Sequence, residues 1–440
     1  MDAFHPAGAE DPMEALRKLL KDLGLPEDAD VNDVEVRADL FRTMMRRLVP
    51  SDSMSDETVV WETVRQMARQ FVASLGPDPS GSSRAARQVS EAVHLAELWL
   101  TEATLLPPLP VTPVVWSRAE WIETTLPAWK AMVEPVIGLL AAGVNDAIQS
   151  RLSDDSDGEM AGLQAALHPI MSRFIAAMFG AHVGEGLGQA ATTTMTGTDL
   201  GLPLLAKPVV AILPTNLAAI QQQAELADEG LMMYCALRDV ARQRLFFQVG
   251  WIAPQITALV QHYAREMRVD PEAIARAMED AVPEHMSAET VAAFQSDFFS
   301  ILFTPDRSDE QQAILDRLNL LLALVEGWVD DVTATVANRW MPGWEAISES
   351  LRRHRATSRP KSVVTPLIGV NVSPKAIREA AGFWEAVRGA RGADGRDDIW
   401  HHPEAMPSGA DVADPAAFLA RPAEADDPWD DELRRFLDEA

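Results

Sequence analysis

Two acids stand in helical runs that otherwise read as core. Residues 318–337, LNLLLALVEGWVDDVTATVA, are apolar over most of their length and carry Glu326 among leucines and valines. Earlier in the chain, LMMYCALRDVARQRLFFQVGW (231–251) places Asp239 and Arg242 one helical turn apart. A carboxylate in such surroundings is costly unless it is paired, hydrogen-bonded or bound to a metal. Two helices that each bring an acid into one core are the framework of a metal site. Neither acid has a histidine beside it, however, and the H-E-x-x-H pattern, which sets two histidine ligands one turn apart, is absent. Glu326 and Asp330 are like charges at i, i+4, an unfavourable pair that asks for a cation. The expectation is that Arg242, with Arg238, pairs with Glu326 and Asp330 across the helix interface. The alternative is local: Arg242 in solvent, Asp239 paired with Arg238 or Gln243, and Glu326 capping a neighbouring helix or bonding a backbone amide.

Other residue sets offer less. His182 and Glu185 stand one turn apart, as do His262 and Glu266, and both pairs suit an ordinary polar helix face. His401 and His402 follow Asp397 and Asp398, but adjacent side chains diverge and the segment reads as surface. No G-x-S-x-G, phosphate-binding loop or cysteine–histidine set occurs, so serine-hydrolase and phosphoryl-transfer chemistry have no motif here. Gly180, Gly184, Gly186 and Gly188 lack the third glycine and preceding strand of a dinucleotide fingerprint. They predict a close helix crossing instead.

The elements that must position these residues are helices. Apolar spacing predicts them over 13–24, 32–49, 57–75, 83–103, 117–150, 216–248, 251–268, 271–281, 288–301, 309–340, 343–356 and 374–390. Asp56 is the expected N-cap of the third, and a kink is expected near Pro127 or Pro135. Strand signals are confined to Val111–Val115, Val363–Val364 and Leu367–Val372. The fold class is therefore mainly α with minor β content. The chain divides into an N-terminal helical region (1–80), a helical core (81–400) and a polar, proline-rich linker with an acidic C-terminal helix (401–440).

The net charge of −28 argues against nucleic acid and anionic membrane surfaces as partners, because both repel so acidic a chain. A protein or peptide partner remains. The single cysteine, Cys235, lies in an apolar helix and reads as a small buried hydrophobe. The acidic N-terminus is no secretory signal, and no apolar run reaches membrane length uninterrupted, so a cytoplasmic protein is expected.

Several blocks resemble the actinobacterial zincin-like metallopeptidase family: LAELWLTEAT, WSRAEWIETTLPAWKAMVEPV, MFGAHVGEGLGQ, GTDLGLPL, ILPTNLAAI, ALRDVARQRLFFQVGWI, LLALVEGWVDDV and REAAGFWEAVRGARGADGRDDIWHHPEAMPS. They run in order over most of residues 90–410. The resemblance implies a multi-helical zincin-like body, zinc as cofactor and a metal-dependent hydrolase activity. Its presumed site joins an R-E-x-x-H helix to a helix carrying E-G-H or E-G-W. On this chain the first motif falls on Arg238, Asp239 and Arg242, with aspartate for glutamate and arginine for histidine. The second falls on Glu326, Gly327 and Trp328, with tryptophan at a presumed ligand position. Zinc hydrolysis needs about three protein ligands and an open position, and a guanidinium cannot ligate. Two readings stay open. In one, the chain is a hydrolase with Glu326 as catalytic base or ligand and Asp239, Asp330 or Asp331 as further carboxylates, a set better suited to magnesium or manganese than to zinc. In the other, it keeps the fold around a degenerate site as a non-catalytic scaffold or interaction protein, with no metal bound and Trp328 helping to fill the vacated space if it faces inward.

Overall fold

The computed structural model describes residues 56–154, 158–224, 228–266, 308–358 and 368–421. The helices expected over 13–24, 32–49, 271–281 and 288–301, and the acidic C-terminal helix, lie outside these residues. The elements run α1 (Asp56–Ser74), α2 (Ser83–Leu100), β1 (Thr112–Val115), α3 (Arg118–Asp154), α4 (Gly158–Thr193), β2 (Val209–Ile212), α5 (Pro214–Ala224), α6 (Asp228–Gln248), α7 (Ile252–Glu266), α8 (Asp309–Trp340), α9 (Trp344–Ser358), α10 (Pro374–Asp397), α11 (Gly409–Ala413) and α12 (Pro415–Ala420). Short 3-10 turns occupy Asp398–His401 and Pro403–Ala405. The chain is mainly α, as its spacing predicts. None of the helices among the described residues is long and apolar enough to cross a membrane.

The chain forms two compact units. One comprises Met1–Met67, Leu140–Gly184 and Val269–Leu302, the other Ala68–Leu139, Glu185–Arg268 and Phe303–Ala440. In the first, Gly180 and Gly184 make the predicted close crossing. A Cβ at these positions would lie 2.7 Å from the Val60 carbonyl oxygen and 2.6 Å from that of Val64.

The second unit holds both acid-bearing helices. α8 opens with a capping box, in which the Ser308 hydroxyl accepts from the Gln311 amide and the Gln311 side chain accepts from the Ser308 amide. α10 begins at Pro374 after the Ser373 cap. The two helices cross at Gly327, where a Cβ would come within 2.7 Å of the Ala380 carbonyl carbon and the Ala381 nitrogen. Trp384 closes the crossing, its indole N–H donating to the Leu324 carbonyl at 2.9 Å. Gly327→Ala should therefore destabilise by about 1–3 kcal/mol through overpacking, although alanine is the better helix former by about 1 kcal/mol. Denaturant unfolding checks this: an unchanged or raised midpoint would mean that the crossing has room.

β1 and β2 pair in parallel, with Thr112 opposite Val209 and Val115 opposite Ile212. β1 falls within the predicted Val111–Val115. β2 was not anticipated: its four apolar residues follow Pro208 and precede Pro214, too short a run to show alternation. Residues 195–197 lie along the other edge of β2, through Leu213 N–H to Met195 O (2.9 Å) and Gly197 N–H to Ala211 O (3.1 Å). Residues 368–372 contain no strand, which corrects that part of the expectation over Leu367–Val372. α3 is helical through both Pro127 and Pro135.

Candidate functional site

α6 is the central helix of its unit, and residues 233–246 are buried without interruption. A helix buried all round has no polar face, so each ionised or polar group on it must find a protein partner. Arg244 donates through Nε to the Glu97 carboxylate at 3.1 Å and through Nη2 to the Glu97 carbonyl at 2.6 Å. Gln243 donates to the Val209 carbonyl at 2.9 Å, tying α6 to β2. Arg238, Asp239 and Arg242 turn toward α8 and the 195–204 loop.

Here the cross-helix pairing expected from the sequence is present. Arg242 grips Glu326 with two bonds, Nε to Oε1 at 2.6 Å and Nη2 to Oε2 at 3.0 Å. Arg238 donates to the same Oε2 at 2.8 Å and pairs with Asp330 through its other terminal nitrogen. Glu326 is 8% exposed and Arg242 fully buried, so these pairs form out of bulk water. Burial by itself would lower the Arg238 proton affinity, but Asp330, Tyr234 and Glu326 outweigh it and raise it well above the ordinary arginine value. Gly201 closes the far side of Glu326. Its φ of +74° belongs to the left-handed region, and a Cβ there would stand 3.2 Å from Glu326 Oε1.

Asp239 does not pair with Arg238 or Gln243, as the local alternative had it. Its Oδ1 accepts from the hydroxyls of Thr196 (2.7 Å) and Thr198 (2.5 Å) and from the Thr198 amide (3.3 Å), with Arg242 Nη1 at 3.6 Å. Its Oδ2 is buried without a hydrogen-bond partner. Burial pushes this carboxyl up from the usual aspartate range, against the opposing pull of Arg242 and the threonine donors. The direction fits the local charge balance, in which Arg238 and Arg242 are already matched by Glu326 and Asp330. A folded value above the unfolded one means that the stabilisation from this proton is complete below the unfolded value. It is lost as pH rises through the folded value. Asp239→Asn, which imitates the protonated form, should therefore gain stability relative to the native protein as pH rises from about 4. Urea midpoints of both proteins across pH 4–8 test this, and parallel curves would refute it.

Trp328 is fully buried, but it does not fill space beside Arg242. Its indole N–H donates to Asp397 Oδ1 at 2.9 Å, and the Arg396 guanidinium lies 5.6 Å from its ring centre. At two residues from Glu326 on a helix it points to the opposite side, toward α10. This second cluster was missed from the sequence. Arg396 donates to Asp331 Oδ2 (2.8 Å), Asp397 Oδ1 (2.8 Å) and the Ala103 carbonyl (2.6 Å), while Arg388 forks onto Asp331. Asp331 is thus occupied by two guanidiniums and stands apart from Glu326 in its partners. The signal available was that Asp331 follows Asp330 in an apolar run, which leaves one of the two acids facing away from α6.

Among the described residues, the only group of three whose ligand atoms approach within 4.8 Å of one another is His262, Glu266 and Glu310, outside the expected set. His262 and Glu266 are 3.9 Å apart and partly exposed, matching their reading as a polar face. Burial lowers His182 to about 4. His401 is exposed beside Asp398, as expected.

Residues 59–419 match the family model described as zincin-like metallopeptidase. No curated protein matches the chain. A solved structure from Chloroflexus aurantiacus, described as "a putative hydrolase with a novel fold", superposes with a TM-score of 0.55 at 19% identity. The match covers 82% of this chain and 97% of that one. At that identity the likeness concerns the fold.

Proposed function

Because the chain belongs to the zincin-like metallopeptidase family, we propose that it is a member whose metal site has become an arginine–carboxylate cluster, leaving a non-catalytic helical body that binds a protein or peptide. The observation that carries this reading is the double-bonded grip of Arg242 on Glu326. Zinc is the cofactor the family implies, and the donor set does not suit it. Both Glu326 oxygens are taken by guanidinium N–H groups, Asp239 Oδ1 by three donors, and Asp330 by Arg238. Two guanidiniums at the centre would repel a dication, and among the described residues neither Asp239 nor Asp330 has a histidine partner. A carboxylate so held is also a poor general base, since accepting a proton would break a buried ion pair. The charge of −28 supports a partner other than nucleic acid or an anionic membrane, and a cytoplasmic location goes with this reading.

Metal content decides between this reading and the hydrolase one. Untagged protein, dialysed against trace zinc and manganese, should emerge without stoichiometric metal by mass spectrometry, and added metal should leave its melting temperature unmoved. Near-stoichiometric metal that disappears on Glu326→Gln would overturn the reading. Converting the first motif to the family's pattern with Asp239→Glu and Arg242→His should raise zinc retention above that of the native chain. No gain would show that more than these two positions separates the chain from a metal-binding relative.

A further inference from the structure

Arg238 has a second environment besides the acid cluster. Together with Tyr234 from the same helix it lines a pocket of about 50 Å³ between α6, α8, α9 and the start of α10. Arg352 and Arg378 line the same pocket, and its one acidic residue is Asp330, already paired with Arg238. Arg238 is matched by Glu326 and Asp330 and Arg352 by Glu349, so Arg378 is the unmatched charge of the lining, in a protein whose total charge is −28. So acidic a chain repels anions at large, which makes a local excess of arginine selective and not a general surface property.

The arginines are not all consumed by the protein. Arg352 donates to Glu349 at 2.6 Å from a half-exposed position. Arg378 is exposed and has no hydrogen-bond or ion-pair partner among the described residues. The Nε–H of Arg238, although its side chain is only 5% exposed, has no acceptor. An unmet donor on a buried guanidinium is an expensive feature unless something supplies the acceptor. The remaining wall is apolar, formed by Leu351, Pro374 and Ile377.

We infer that this pocket binds a small organic carboxylate bearing an aliphatic group, of the kind a peptide C-terminal residue presents. The carboxylate would be forked by Arg378 and Arg352, and the aliphatic part would lie on Leu351 and Ile377. The volume takes the carboxylate head group, and the aliphatic part lies outside it on the apolar rim. The inference rests on the preceding reading in one respect: Arg238 and Arg242 take the acids that would otherwise hold a dication, so the positive lining stays available for an anion.

Calorimetric titration of the full chain in EDTA, at low salt, tests it with three probes: N-acetyl-leucine, N-acetyl-leucinamide and inorganic phosphate. N-acetyl-leucine should bind saturably below about 10 mM. The amide, which lacks the charge, should bind at least about tenfold more weakly. Arg378→Ala and Arg352→Ala, both at solvent-accessible positions that leave the core intact, should each weaken N-acetyl-leucine by about tenfold at unchanged melting temperature. Absence of binding, equal binding of the amide, or insensitivity to both substitutions overturns the inference. Phosphate binding as tight as that of N-acetyl-leucine overturns the carboxylate class. Metal is assayed on the same sample before EDTA treatment. Metal found there would count against the preceding reading, whereas failure of metal-free protein to bind N-acetyl-leucine counts against this inference alone.

Discussion

Arg242→Ala is expected to cost about 3–5 kcal/mol of folding stability, because it strips a buried carboxylate of its two-bonded partner and leaves Glu326 with one of its two arginines, Arg238. The effect is electrostatic before it is steric. Loss of packing contributes, but the dominant cost is an under-compensated charge at a site 8% exposed. Replacing both members with methionine, Arg242→Met with Glu326→Met, should recover most of the loss, since an apolar pair of similar volume removes both desolvation costs together. Guanidinium unfolding of Arg242→Met, Glu326→Met and the double variant completes the cycle. Single losses below about 1 kcal/mol would mean that the pair is reached by water and worth no more than a surface bridge.

Asp397→Ala should be comparably damaging, at about 3–5 kcal/mol. This carboxylate receives four donors: the Thr104 hydroxyl at 2.6 Å, the Leu105 amide at 2.9 Å, the Trp328 indole at 2.9 Å and Arg396 Nε at 2.8 Å. It ties the exit of α2 and the middle of α8 to the end of α10. Alanine would orphan the Trp328 indole N–H in the core, release the part-buried Leu105 amide and leave Arg396, which is fully buried, with Asp331 as its remaining acid. Asparagine preserves the shape but brings an NH2 group up against these donors, so it should recover only part of the loss. Near-ultraviolet circular dichroism reports the tryptophan environment directly. An unchanged spectrum and midpoint in Asp397→Ala would dismiss the clamp.

How far the sequence alone reached depends on the kind of signal. The span of α8, Asp309–Trp340, was legible to the residue from its apolar spacing, and the Ser308–Gln311 capping box seen in the structure explains why it starts there. The Arg242–Glu326 pair was legible because each residue is implausible alone in its own helix and plausible only with the other. Trp328 was assigned the wrong side because adjacency in a motif was taken for adjacency in space, whereas two residues along a helix is a half-turn. Asp397 and Arg396 were missed because they lie where the chain turns polar, which reads as linker. Their burial comes from Trp328, Thr104 and Ala103, residues far away in sequence. β2 escaped because five apolar residues between prolines carry no period. Thr196 and Thr198, which hold Asp239, sit in a loop whose threonines give no sign of which carboxylate they will meet.

The double grip on Glu326 also bears on how such a chain can change over generations. With two arginines on one carboxylate, no single substitution turns the centre into a vacant acid pair. Losing Arg242 alone leaves an unstable intermediate, and losing Glu326 alone leaves Arg242 with Asp239, at 3.6 Å, as its remaining acid. A path from this cluster to an open acid site therefore passes through less stable chains unless the replacements are coordinated. The guanidinium cluster acts as a ratchet that entrenches whatever role the chain has taken up.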